Sequence, residues 1–138
     1  MKIVPMAILA LTIVALPVAA DDLTGTDHLL CAAVQANVCT TDGGCETGPS
    51  WAWNVPQFLE VDLAAKKVHT TATSGENRLT PIASLVRTQG LIVLQGLENR
   101  RAFSVIINET TGDASLAVAR DNLTVTVFGS CTPLPATH

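Results

Sequence analysis

From residue 57 onward the sequence consists of short runs rich in β-branched and apolar residues, which turn signals separate at short, regular intervals. The runs that predict strands are Phe58–Ala64, Lys67–Ala72, Ile82–Thr88, Leu91–Gln95, Ala102–Asn108, Ala114–Ala119 and Leu123–Gly129. Every connection between them is short, whereas parallel strands need crossovers of about a dozen residues or more. The sequence therefore predicts an all-β fold, an antiparallel meander of about seven strands that forms a curled sheet or a small barrel.

Several of these runs alternate as half-buried strands do. In the last run, Leu123, Val125 and Val127 share one face of the predicted strand, and the residues between them share the other. The turn before Ala114–Ala119 contains Gly112, which suits a backbone position with positive φ. Upstream, Leu29–Val38 fits a strand as easily as a helix, so its type stays open.

Residues 1–20 have the pattern of a secretory signal peptide. Lys2 precedes an apolar run that ends at Pro17, and small residues lead up to Ala20. We expect cleavage after Ala20, a single β domain over residues 21–138, and no stable membrane insertion after cleavage. A retained anchor is the alternative, but prolines interrupt the run and the acidic pair Asp21–Asp22 follows it instead of a basic flank. The predicted location is periplasmic or secreted.

The charge of the chain is acidic and evenly spread. The net charge is −4, and no group of basic residues is larger than the pairs Lys66–Lys67 and Arg100–Arg101. Nucleic acids and anionic membrane surfaces are therefore poor partners for this protein.

All four cysteines lie in the predicted mature part of the chain. An even count in an exported protein indicates two disulfides, and the spacings contain no C-x2-C pattern that would indicate zinc. Of the three possible pairings we favour Cys39–Cys45, across a turn-rich loop, with Cys31–Cys131 joining the first strand to the last. No metal and no cofactor are predicted.

Three stretches of the chain resemble small exported bacterial proteins of unassigned function. They are Val93–Ser104, Val127–Pro133 with its Val-Phe-Gly-Ser-Cys-Thr-Pro sequence, and Thr73–Arg78. The resemblance implies export but carries over no catalytic or binding residue.

The residues that catalysis would need are sparse. A Ser/His/acid hydrolase requires a base close to a nucleophile, and the candidate bases are only His28, His69 and His138. Ser130 lies between Gly129 and Cys131, without the second glycine of a nucleophile elbow. We therefore predict a non-enzymatic protein, with a hydrolase of unrecognised site as a less favoured alternative.

Candidate binding residues fall in two places. The segment Glu46–Pro56 contains both tryptophans of the chain, which in an extended segment would share a face and form either core plugs or a binding platform. The second place is a polar hairpin, where one glutamine continues an apolar strand either as a structural residue or as an inward group for a ligand. We expect these two regions to approach each other. The candidate residues are Trp51, Trp53, Gln95, Glu98, Asn99 and Arg101.

Together these features predict an exported binding protein of the cell envelope, whose partner is a small envelope ligand or another protein. The alternative is a structural or stress-related envelope protein without a discrete ligand. An apolar pocket with convergent polar groups would favour ligand binding, an exposed tryptophan patch would favour a protein partner, and a filled interior would favour the structural role.

Overall fold

A computed structural model describes residues 22–135, which form ten β-strands and two short 3-10 helices. The strands are β1 His28–Thr40, β2 Cys45–Gly48, β3 Phe58–Asp62, β4 Lys67–Thr70, β5 Leu79–Pro81, β6 Ser84–Thr88, β7 Leu91–Glu98, β8 Arg101–Asn108, β9 Asp113–Arg120 and β10 Leu123–Pro133. The 3-10 helices are Ser50–Trp53 and Ala72–Ser74. The predicted signal peptide, residues 1–20, and the candidate base His138 lie outside the described residues.

All ten strands belong to one antiparallel sheet that curls into a half-barrel. The strand order is β5-β4-β3-β1-β10-β9-β8-β7-β6, and β2 pairs with β1 away from this path. The all-β antiparallel fold predicted from the sequence is confirmed, but the prediction of about seven strands is wrong. The short β2 and β5 were missed, because four and three residues are too few to show an alternating pattern.

From β3 onward, the sequential pairing of the meander breaks once. The chain passes directly from β5 to β6, but these strands form the two ends of the sheet and do not pair with each other. From β6 to β10 each strand pairs with the next, and β10 then pairs with β1. The undecided segment Leu29–Val38 is part of β1, a strand of 13 residues whose first half pairs with β3 and whose second half pairs with β2.

The two disulfides have the predicted pairing, and both attach to β1. Cys31 lies opposite Cys131 on β10, and Cys39 lies opposite Cys45 on β2. One bridge therefore joins the first and last strands of the described fold, and the other closes a local hairpin. Disulfides of this kind are typical of proteins in oxidising, extracellular compartments.

The interior of the half-barrel contains two groups of buried side chains. The larger group closes one end of the structure and includes Leu23, which is fully buried and whose N–H donates to the carbonyl of Glu109 at 2.7 Å. Its other members are Leu29, Val61, Leu63, Ile82, Ile92, Leu94, Ile107 and Cys131. The smaller group contains Ala36, Val38, Val55, Val125 and Val127. Burial of these apolar side chains is the main favourable contribution to folding.

The β5 end of the sheet curls over until it lies against β7. At the meeting point is Gly96, where a Cβ atom would lie 2.8 Å from the carbonyl oxygen of Pro81 and 2.6 Å from Cζ of Phe103. Only a residue without a side chain allows β5 to come this close. Gly96 therefore helps to determine how far the sheet closes on itself.

Two-residue turns join β6 to β7 and β7 to β8. Gln89 and Gly90 both have positive φ, as do Asn99 and Arg100, and this geometry suits the right-handed twist of the flanking strands. Gly112 in the β8–β9 connection also has positive φ, at 74°, as its sequence context predicts. Residues 22–135 include no helix with the length and apolar character needed to span a bilayer.

Candidate functional site

A cavity of about 180 Å³ lies inside the half-barrel, at the end opposite the larger buried group. The strand alternation directs apolar side chains of β3, β4, β8, β9 and β10 into it. These apolar lining residues are Leu59, Val68, Phe103, Val105, Leu116, Val118, Leu123 and Val125. The wall of the cavity is therefore largely hydrocarbon.

A second, smaller cavity of about 70 Å³ lies deeper in the half-barrel. It borders both Cys31 and Cys131, and it shares lining residues with the larger cavity, namely Val55, Leu59, Val68, Val105 and Leu116. The unfilled space in the interior therefore extends from the larger cavity toward the Cys31–Cys131 disulfide.

Polar groups converge where β5, β7 and β8 reach the open end, and Glu98 is at their centre. Its Oε1 accepts hydrogen bonds from Nε of Arg78 at 3.2 Å and from the hydroxyl of Thr80 at 3.0 Å. Its Oε2 accepts from a terminal nitrogen of Arg78 at 2.9 Å and from one of Arg101 at 3.1 Å. The carboxylate is thereby held by two guanidinium groups, and the paired Arg–carboxylate geometry fixes its orientation.

The same network ties the tryptophan segment to the hairpin. Arg78 donates a further hydrogen bond from Nη1 to the carbonyl oxygen of Asn54, at 3.1 Å, while it binds Glu98 on β7. Asn54, Glu98 and Arg101 all line the cavity. The structure thus brings the Glu46–Pro56 segment and the β7–β8 hairpin to one site, and Arg78 is the link between them.

A third arginine lines the cavity next to the network. Ala102 on β8 pairs with Ala119 on β9, so Arg101 and Arg120 occupy neighbouring strand ends. Arg120 has no ion-pair partner among the described residues. The charged lining residues are three arginines and one glutamate, and Glu76 outside the lining lies 3.5 Å from Arg78. This part of an acidic protein therefore carries a local excess of one positive charge.

The two tryptophans do not share a face. They lie in a 3-10 helix and not in an extended segment, and residues two apart point in different directions when there are about three residues per turn. Trp53 lines the cavity and packs over Gly48, where a Cβ would be 2.8 Å from its ring. Trp51 is 67% exposed and takes no part in the cavity. The common face was expected for an extended segment, and the 3-10 helix does not meet that condition.

Gln95 and Asn99 also lie away from the cavity. Gln95 is exposed, because its neighbours Leu94 and Gly96 point inward and strand residues alternate between the two faces. It is therefore not the inward polar group that one interpretation expected. Asn99 is exposed in the β7–β8 turn, where asparagine tolerates the positive φ.

Sequence reasoning missed Arg78, Thr80 and Arg120. None of the three stands near the tryptophans in the sequence, and Arg78 was noted only as the end of the segment Thr73–Arg78. Arg78 directly precedes β5, Thr80 lies within β5 and Arg120 ends β9. That these residues meet at one cavity becomes visible only once the curvature of the sheet is known.

The described histidines lie outside this site. His28 is 3.8 Å from Asp62, and His69 is 3.7 Å from Glu60, in pairs formed between neighbouring strands, and neither histidine lines the cavity. Among residues 22–135, no group of three or more His, Cys, Asp or Glu side chains is arranged to hold a metal ion.

Comparison with known proteins adds no family assignment, since no protein-family model matches the chain and no curated protein matches it at a significant level. The functional assignment therefore depends on the cavity and on the charged residues at its open end. These residues, Arg78, Glu98, Arg101 and Arg120, form what we call the mouth.

Proposed function

We propose that this protein is a non-enzymatic binding protein of the cell envelope, which holds a small, largely apolar ligand in the interior of the half-barrel. The observation that carries the proposal is the cavity, which is apolar along its wall, closed at one end by the larger buried group, and bordered at the other by fixed polar groups. Sites for small molecules commonly combine these features.

The size of the cavity limits the ligand. A protein cavity of about 150 Å³ lined by Leu, Ile and Phe is large enough to bind benzene. The cavity of about 180 Å³ therefore suits a single ring or a short alkyl chain, with a polar end toward the mouth. A purely structural envelope protein would be more stable with a filled interior, because an empty cavity lowers stability. The unfilled cavity therefore supports ligand binding over a structural role.

Location in the periplasm or outside the cell is part of the proposal. The two disulfides and the sequence pattern of residues 1–20 support it. Mass spectrometry of the exported protein tests it. We expect a mature N-terminus at Asp21, and a retained Met1 would contradict cleavage after Ala20.

Ligand binding is tested with benzene as a neutral probe. We expect benzene to shift the NMR signals of the methyl groups of Val105, Leu116 and Val118, and to raise the melting temperature as a ligand specific for the folded state does. The variant Val118→Phe places a ring in the cavity and should abolish both effects.

The matched control is Ala117→Phe, on the same strand. Ala117 is exposed and does not line the cavity, so this variant adds an aromatic ring to β9 without occupying the interior. It should bind benzene as the unaltered protein does. Methyl shifts that are absent in the unaltered protein, or that persist in Val118→Phe, would contradict binding in the interior cavity.

A further inference from the structure

We infer that the ligand of this cavity is a small carboxylic acid, bound as its anion, whose carboxylate contacts Arg101 and Arg120 while its apolar body lies against Phe103 and Leu116. The inference rests on the proposed function and specifies its ligand class. It follows from three features of the mouth, namely its charge, its unused hydrogen-bond donors and its position relative to the apolar wall.

The charge at the mouth is unbalanced. Three of the four charged lining residues are arginines, and the single lining carboxylate, Glu98, is already shared between Arg78 and Arg101. Outside the lining, Glu76 lies 3.5 Å from Arg78, so a net excess of one positive charge remains. The chain as a whole is acidic, with 12 Asp and Glu against 8 Lys and Arg. A local positive excess in such a protein attracts an anion and disfavours a cation.

The arginines also differ in how fully their donors are used. Arg78 donates to Glu98 through two nitrogens and to the carbonyl of Asn54 through the third. The side chain of Arg101 is only 17% exposed, yet its one hydrogen bond among the described residues is to Glu98. The side chain of Arg120 makes no hydrogen bond to the described residues. A guanidinium group has five N–H donors, so Arg101 and Arg120 retain donors for a ligand.

The position of these donors sets the shape of the ligand. Phe103 follows Arg101 by two residues on β8, and Val118 precedes Arg120 by two on β9, so each arginine lies directly above an apolar lining residue. A ligand that contacts both the arginines and the apolar residues next to them needs an anionic head and an apolar body. Planar guanidinium groups match a carboxylate particularly well, since two parallel N–H groups bind its two oxygens.

The test compares three probes that share a body and differ in the head: phenylacetate, phenylacetamide and 2-phenylethylammonium. Binding is followed in a Trp51→Phe background, in which Trp53 at the cavity is the remaining tryptophan, and in parallel by NMR shifts of the lining methyl groups. We expect phenylacetate to bind about tenfold more tightly than the amide, because hydrogen bonds between charged groups are the stronger ones. The ammonium should bind more weakly than both.

The variant Arg120→Gln should remove much of the preference for phenylacetate over the amide, because it weakens binding of the anion more than binding of the neutral amide. Arg120 forms no hydrogen bond or ion pair with Glu98, so its loss leaves the partners of that carboxylate in place. The matched control is Arg100→Gln, which changes the net charge equally but lies in the neighbouring turn, is 91% exposed and does not line the cavity. The control should retain the full preference.

The outcomes separate the ligand class from the proposed function. Equal affinity for acid and amide, tighter binding of the ammonium, or an equal loss of preference in Arg100→Gln and Arg120→Gln would overturn the carboxylate inference, while a ligand-binding cavity would stand. If benzene and all three probes fail to shift the methyl signals, the proposed function falls as well.

Discussion

Removal of the two disulfides one at a time should lower stability very unequally. Cys31 and Cys131 are 100 residues apart in the sequence, whereas Cys39 and Cys45 are 6 apart. In the chain-entropy description, a crosslink stabilises the folded state by restricting the unfolded chain, and the restriction grows with the length of the closed loop. The expected losses are about 4.7 kcal/mol for the long loop and about 2.2 kcal/mol for the short one.

The surroundings of the two bridges act in the same direction. Cys131 is buried in the larger apolar group, so replacing it with alanine also removes packing contacts, whereas Cys45 is exposed. We therefore expect the Cys31→Ala/Cys131→Ala variant to be at least about 2.5 kcal/mol less stable than the Cys39→Ala/Cys45→Ala variant.

Equilibrium urea unfolding of both double variants and of the unaltered protein measures this difference. The free energies of unfolding are obtained by linear extrapolation, and far-ultraviolet circular dichroism and tryptophan fluorescence are followed together to check that unfolding is two-state. Each variant keeps the other bridge, so each serves as the control for the other. Equal losses, or a larger loss for the short loop, would refute the argument from loop length.

Three further predictions concern single residues. Gly96→Ala should lower the free energy of unfolding by about 1–3 kcal/mol in urea denaturation, because the new methyl group has no space at the β5–β7 contact. Ser50→Ala should leave stability unchanged or raise it, since the buried hydroxyl has no hydrogen-bond partner among the described residues. The Thr40 hydroxyl and, to a smaller extent, the Gly44 N–H lower the pKa of Asp42. The contribution of this ionised carboxylate to folding stability is therefore present above the ordinary pKa of aspartate, and it is lost as pH falls through the lower pKa of the folded state. An NMR titration should show this pKa rising toward the ordinary value in Thr40→Val.

Features that depend on neighbours in the sequence were predictable. The alternation of Leu123, Val125 and Val127 gave the inward face of β10, and the positive φ of Gly112 followed from its turn. The compartment suggested by the N-terminal segment led to the interpretation of the cysteines as disulfides. Alternation and turn geometry are properties of a few consecutive residues, so they can be recognised without knowing the rest of the fold.

The candidate site was only partly predictable. Trp53, Glu98 and Arg101 were among the expected residues and meet at the cavity, whereas Trp51, which was grouped with Trp53, points away from it. The orientation of the tryptophans depends on a single 3-10 turn, and its four residues carry no pattern that distinguishes them from an extended segment.

What only the tertiary structure decided is the curvature of the sheet, and with it the cavity. Arg78 directly precedes β5, Glu98 ends β7, and these two strands do not pair. The two residues are 20 apart in the sequence, yet closure of β5 against β7 at Gly96 brings them into contact. Curvature accumulates from the twist and register of every strand pair in the sheet. The sequence by itself therefore determined the longer strands after residue 57, their turns and the chemistry of the cysteines. The meeting of an apolar interior with three arginines at one open end depended on the sum of those small rotations.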